Sequence, residues 1–250
     1  MSLRQSLGIV LQVKDYGDSD KIVTLYTLEH GKIVLIAKGA KRSKIRFVNK
    51  LELFSLLSVL FAPNRHSSLM RLDQAELLDS FPRLRENYAL YAAASLLCEL
   101  VLHWTREHDS DAELFRLLGW GIEGLALAEG AVHRRIIFFH VKMLEILGYR
   151  PDLTGCLDCG LLGGPGILYR FSSLRNGLVC SRCQPQATGN NSSPLSIQTI
   201  QLLRKVQDME QDKLARLHFS PAALREAIDL LKRHDNHLLQ REVQSWNFLG

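Results

Sequence analysis

The sequence predicts an α+β protein of several modules: a five-stranded β-barrel of the OB type, then an α-helical domain with a four-cysteine metal module set into it. Three features carry that expectation. The first eighty residues hold five short β-rich runs without helical period. After Phe81-Pro82 apolar residues recur every three or four positions. Late in the chain stand two Cys-x-x-Cys pairs. The barrel takes residues 1–80, the helical domain begins at 81–154, the cysteine module occupies 155–184, and a linker with closing helices fills 185–250. A chain of 250 residues is long for one core and sufficient for two or three small ones.

The strands follow in order. Gly8–Lys14 is the first, bounded by the turn-rich Asp15-Tyr-Gly-Asp-Ser-Asp20. Lys21–Thr27 is the second, rich in β-branched and aromatic residues. Glu29-His30-Gly31 is a hairpin loop leading to a third strand, Lys32–Ala37. A basic loop over Lys38–Arg46 separates it from a fourth strand, Leu51–Phe61, which Pro63-Asn64 ends; Leu69–Leu78 is the fifth. An SH3-like barrel would give much the same pattern as an OB-fold.

Tyr88, Tyr91, Ser95, Cys98 and Leu102 mark a first long helix up to Trp104, with Cys98 a small core residue. Residues 112–129 form a second, weakened by glycines, and 131–147 a third, stopped by Gly148 and Pro151. The polar run Pro185–Ser193 reads as a linker. Ser193-Pro194 and Ser220-Pro221 each place serine at an N-cap and proline at N1. Ile197, Ile200, Leu203 and Val206 mark one buried face, and Leu224, Ile228, Leu231 and Leu238 another.

Cys156, Cys159, Cys180 and Cys183 have the spacing of a closed tetrahedral sulfur site, the arrangement of structural Zn(2+). Gly160 follows the second sulfur, where a turn needs positive φ. Four thiolates also suit an iron–sulfur cluster. Disulfides are the weaker reading: Met1–Ser6 does not open a signal peptide, no apolar run has the length of a membrane span, and a reducing cytoplasm favours metal over disulfide. Gly163-Gly-Pro-Gly166 lies between the pairs and reads as a hairpin turn.

The formal net charge is +5, with +4 in residues 1–80 and −2 in 81–155. Lys32, Lys38, Lys41, Arg42, Lys44, Arg46 and Lys50 fall in one stretch with no acidic residue among them. Such a run between barrel strands, with Phe47 interleaved, suits the phosphates and bases of single-stranded nucleic acid. Enzyme signatures are missing from the sequence. There is no Walker A, dinucleotide-binding, HExxH or GxSxG sequence, and no His-x-Glu to make the cysteines a deaminase site. A closed four-cysteine site also lacks the open position that catalytic zinc keeps.

Tyr16-Gly-Asp-Ser-Asp-Lys-Ile-Val-Thr-Leu-Tyr-Thr27, Glu29-His-Gly-Lys32 and Ala37-Lys-Gly-Ala-Lys-Arg42 resemble the N-terminal barrel of the RecO family of bacterial DNA repair proteins. Gly148-Tyr-Arg-Pro151 before Cys156-Leu-Asp-Cys-Gly160 resembles that family's entry to its zinc module. The resemblance implies a cytoplasmic recombination mediator, nucleoid-associated during repair. Such a protein binds single- and double-stranded DNA, anneals complementary strands and, with RecR, helps RecA replace single-strand-binding protein (SSB). It further implies a helical-domain contact with the acidic, apolar C-terminal tail of SSB, for which Arg134 and Arg135 are the candidates here. The competing class is a zinc-stabilised protein-interaction scaffold whose loop is merely solvated.

Overall fold

The computed structural model describes residues 3–63, 69–127, 132–164, 166–184 and 192–249. β1 (Arg4–Tyr16), β2 (Asp20–Thr27), β3 (Gly31–Ala37), β4 (Leu56–Ala62) and β5 (Met70–Asp79) close into a barrel in the order β1-β2-β3-β5-β4. Every pairing is antiparallel except β3 with β5. This is the five-stranded barrel expected. Alternate residues point inward: Ile33, Leu35 and Ala37 of β3 meet Val23 and Leu25 of β2, Val59 and Phe61 of β4, and Leu72 of β5.

Three features of the barrel differ from expectation. The first strand runs from Arg4 to Tyr16 rather than Gly8 to Lys14, because Arg4–Leu7 pair with β4 and Asp15 and Tyr16 still pair with β2. The fourth strand starts at Leu56 rather than Leu51. Phe54 takes a left-handed φ of 72° and buries its ring completely. Its N–H donates to the Val10 carbonyl at 3.0 Å, and the Val10 N–H donates to that of Ser55 at 3.1 Å. The left-handed turn at Phe54 therefore breaks strand geometry just before Leu56, although the segment stays hydrogen-bonded beside β1 and its ring packs against Tyr91. Phe47 is also buried, only 3% exposed, within the barrel core. It is a hydrophobic anchor for the basic loop, which corrects its expected role as a base-stacking aromatic.

Gly31 shows why the β2–β3 turn is so short. Its φ is +61°, and a Cβ there would lie 2.1 Å from the Asp109 carbonyl oxygen. Only glycine fits both constraints.

The chain divides into two compact units, Met1–Ala128 with Asn247–Gly250, and Glu129–Trp246. The first contains the barrel together with α1 (Arg83–Glu86), α2 (Tyr88–Trp104) and α3 (Ala112–Leu127), so the boundary expected at residue 80 lies inside it. Asn87 caps α2 by accepting the Leu90 N–H at 3.2 Å, and Asp111 caps α3 by accepting those of Glu113 and Leu114. Cys98 is a buried core residue, and burial pushes its thiol far up.

The second unit holds α4 (Val132–Ile146), then β6 (Asp152–Cys156), β7 (Tyr169–Ser172), β8 (Gly177–Cys180) and β9 (Ser192–Leu195), then α5 (Ile197–Asp208) and α6 (Pro221–Leu239). The strands form one sheet in the order β6-β8-β7-β9. Gly148 ends α4 at φ +81°, as its position predicts. Ser220 caps α6 as expected, accepting the Ala223 N–H at 3.2 Å. Ser193 does not cap α5: Ser193 and Pro194 lie in β9 against Phe171 and Arg170, and Ser196 is the cap. A serine–proline pair fits an edge strand as well as a helix start, because proline needs no ladder partner there. Pro185–Asn191 of the expected linker lie outside the described residues.

The buried faces of the closing helices are also shifted. Ile197 is 36% exposed, whereas Ile200, Leu203 and Val206 are buried. In α6 the buried set is Ala223, Ala227, Leu230, Leu231, His234 and Asp235, and Leu224, Ile228 and Leu238 are only partly covered. Two polar residues on the inner face were invisible to an apolar pattern.

His234 packs fully buried against Phe171, ring centroids 5.2 Å apart. Burial pushes its imidazole down from 6.5 to about 4; His140 and His237 push the same way, and Asp235 opposes them. Between those values the unfolded chain takes up a proton that the folded chain refuses. Stability is full above about pH 6.5 and falls by about 3 kcal/mol as the pH drops to 4. His234→Phe should flatten the decline of the urea midpoint over that window. An equal decline in both proteins would remove His234 as its cause.

Candidate metal centre and nucleic-acid interface

The four cysteines sit on two matched turns. The Cys156 carbonyl accepts the Gly160 N–H at 2.7 Å, and the Cys180 carbonyl accepts those of Cys183 at 3.1 Å and Gln184 at 3.0 Å. Gly160 has φ +70°, as its place after the second sulfur predicts. The parallel pairing of β6 with β8 brings the turns together, since each strand ends in the first cysteine of a pair. Gly155 allows the closure: a Cβ there would lie 2.4 Å from the Gly160 oxygen. β7 and β8 form the hairpin between the pairs, but its tip is Ser173–Asn176, not the glycine run. Pro165 of that run lies outside the described residues.

All four sulfurs lie within 4.8 Å of one another. Sulfurs held about 2.3 Å from one tetrahedral ion stand about 3.8 Å apart, and Cys159 Sγ and Cys180 Sγ are separated by 3.8 Å. Burial works against the Cys156 thiolate, but the N–H groups of Asp158, Cys159 and Cys180 point at its sulfur and hold the thiol down at about 6. The sulfurs of Cys159 and Cys180 push Cys183 up to about 12. Four thiols this close ionise together only with a cation among them, so the donor set fits a metal ion. Asp158 braces the first turn through a two-pronged bond to Arg175 at 2.7 and 3.1 Å, a partner the spacing rule did not show.

The basic loop lies at one end of the barrel and is ordered by local bonds. Asp20 accepts the Gly39 N–H at 2.8 Å, Ser19 O accepts that of Lys41 at 2.9 Å, and Ser43 Oγ accepts that of Phe47 at 3.0 Å. The Gly39 and Ser19 donors hold the Asp20 carboxyl below its ordinary range. Lys38, Lys41, Arg42, Lys44 and Arg46 are exposed and Lys50 is half-exposed. Among the described residues Lys41 is the loop cation with an ion-pair partner, Asp15 at 3.0 Å.

Lys32 is not with them. Its Nζ donates to the carbonyls of Leu102 at 2.7 Å and Thr105 at 2.5 Å, at the C-terminal end of α2. Burial lowers its pKa, partly offset by Glu107. Among linked cations it is a helix cap. Arg134 and Arg135 are half-buried on α4, and the Arg134 guanidinium donates to Leu217 O at 2.9 Å.

A five-stranded barrel of OB order with a cationic loop, followed by helices and a small sheet whose turns bring four thiols together, defines an OB-barrel protein with a four-cysteine module able to hold a metal ion. The family is settled by comparison. Residues 1–81 match the family model for the recombination protein O N terminal, and residues 85–247 match that for its C terminal. The chain is 35% identical over 243 residues to the DNA repair protein RecO of Syntrophus aciditrophicus, covering 97% of this chain and 93% of the relative. It is 34% identical to RecO of Myxococcus xanthus, covering 97% and 95%, and 34% identical to RecO of Bacillus pumilus, covering 99% and 94%. The chain belongs to the RecO family. Among its described residues no helix is long and apolar enough to cross a membrane.

Proposed function

We propose that this chain is a recombination mediator in DNA repair. It binds single- and double-stranded DNA through the loop at the end of its barrel and anneals complementary strands. With RecR it helps RecA load on SSB-coated DNA. The observation that carries this reading is the exposed cluster of Lys38, Arg42, Lys44 and Arg46 on an ordered loop of an OB-type barrel. Phosphates of two strands neutralised on one cationic surface repel each other less, which favours pairing. Lys41 and Lys50 are secondary contacts, and Lys32, at the start of β3, ties that strand to the end of α2 without reaching DNA. The cage holds structural zinc: four thiolates close the coordination shell and leave no position for a substrate. Arg134 and Arg135 stand as contacts for the acidic SSB tail, though the Leu217 bond already occupies part of Arg134.

The test is a salt titration of single-stranded DNA binding. Each phosphate contact on a single strand adds about 0.7 to the slope of log affinity against log salt. The combined Lys38→Gln, Arg42→Gln, Lys44→Gln variant should lose roughly 2 from that slope and weaken binding roughly tenfold or more at low salt. These side chains are exposed, so folding should be unaffected. An unchanged slope would overturn the assignment.

A further inference from the structure

The basic loop does more than line up charges. Its tip carries Ile45, which is 85% exposed although it is a large aliphatic residue. Lys44 and Arg46 flank it. The tip is not free to fold back. Phe47 is locked in the barrel core, the Arg46 guanidinium donates to Lys38 O at 2.5 Å, and the same guanidinium lies 4.4 Å from the centroid of the Phe47 ring. The fold thus holds an apolar side chain out in water between two cations.

Beside this tip runs a groove of about 830 Å³ on the outer face of β4 and β5. That volume is within the range of small-molecule clefts, about 300–1,000 Å³. The loop wall is Ile45, Arg46 and Lys50, and Leu60 and Leu77 supply apolar surface facing it. Asp73 and Glu76 lie on the strand side, with Asp73 held by Arg71 at 2.5 Å. The charge is therefore divided across the groove. Phosphate is favoured on the loop side and repelled from the strand side, and the apolar surface between them suits a flat, uncharged ring.

We infer that this groove takes an unstacked base of a single DNA strand, with Ile45 wedged against the base and Arg46 and Lys50 on its phosphate. The inference rests on the DNA-binding reading above and adds to it the place where the base goes. OB-folds commonly present oligonucleotides on the β2–β3 face; here the loop leans over β4 and β5 instead. An apolar wedge between base steps unstacks them, and an unstacked strand offers its pairing edges to a complement.

The experiment uses the full chain and a single-stranded oligonucleotide carrying 2-aminopurine, whose fluorescence rises on unstacking. Wild type should raise the fluorescence on binding. Ile45→Ser should abolish the rise and lower affinity about fivefold, with the salt slope unchanged because every cation remains. Ile45→Phe should restore both. The triple loop variant should do the reverse, losing slope. If wild type binds without a fluorescence rise, or if Ile45→Ser keeps both the rise and the affinity, the groove assignment fails and the DNA-binding reading stands. If wild type does not bind DNA at all, both fail together.

Discussion

Cys156→Ser is expected to abolish metal binding and open the four-stranded sheet of the second unit while leaving the barrel's DNA affinity within about twofold of wild type. Cys156 ends β6, is 2% exposed, and lies in contact with the backbone of the other turn, where the Cys180 N–H points at its sulfur at 3.3 Å. Serine supplies a poor zinc ligand there, and three thiolates no longer close the site. Structural zinc contributes about 10–16 kcal/mol to folding in isolated zinc-finger peptides. Here β7 also packs on α6 through Phe171 and His234, so part of the sheet has support of its own. The loss should be several kcal/mol, read as a fall in metal content toward zero and as fast hydrogen exchange at Leu178 and Cys180. The cationic loop belongs to the other compact unit, which is why DNA binding should survive. A variant that retains one metal ion per chain and native exchange would refute the cage. If DNA binding vanished with the barrel still folded, the metal module would instead be part of the binding surface, with the exposed Arg182 as its leading cation.

The barrel, the cage and the basic run were legible in the sequence because each depends on local regularity. Alternation in Lys32–Ala37 writes the inner face of β3 directly, and Cys-x-x-Cys writes a turn. What escaped depends on distant partners. Phe47 looks like a loop aromatic until the barrel closes around it, and Lys32 looks like one more loop cation until the end of α2 arrives at its ammonium. The start of β4 failed because Phe54 adopts a conformation that β-branched and aromatic residues rarely take, so no propensity argument could place it. His140 and Asp235 are almost 100 residues apart and carry no motif. An amphipathic reading of α6 assigns an aspartate to water, whereas this one lies at the centre of the second unit.

That aspartate carries the other large effect. The Asp235 carboxylate is fully buried. One oxygen bonds His140 Nε2 at 2.9 Å, and the other accepts Trp246 Nε1–H at 2.9 Å. The imidazole and indole rings also stack, centroids 5.7 Å apart. One side chain of α6 thus ties α4 to the C-terminal turn Gln244–Phe248. Asp235→Ala removes the shared acceptor and leaves an indole N–H and an imidazole in a dry interior. A buried hydrogen-bonding group left without its partner costs about 1–3 kcal/mol, and two lose theirs here, against about 5–15 kcal/mol of total stability for a typical domain. The urea midpoint of the second unit should fall accordingly, and the Trp246 indole N–H resonance should lose its hydrogen-bonded shift. Asp235→Asn keeps an acceptor for one partner and should cost about half as much. Because the cost is structural, neither variant should change the salt slope of DNA binding. A loss below about 1 kcal/mol in Asp235→Ala would mean that water reaches this site and satisfies both rings without the carboxylate.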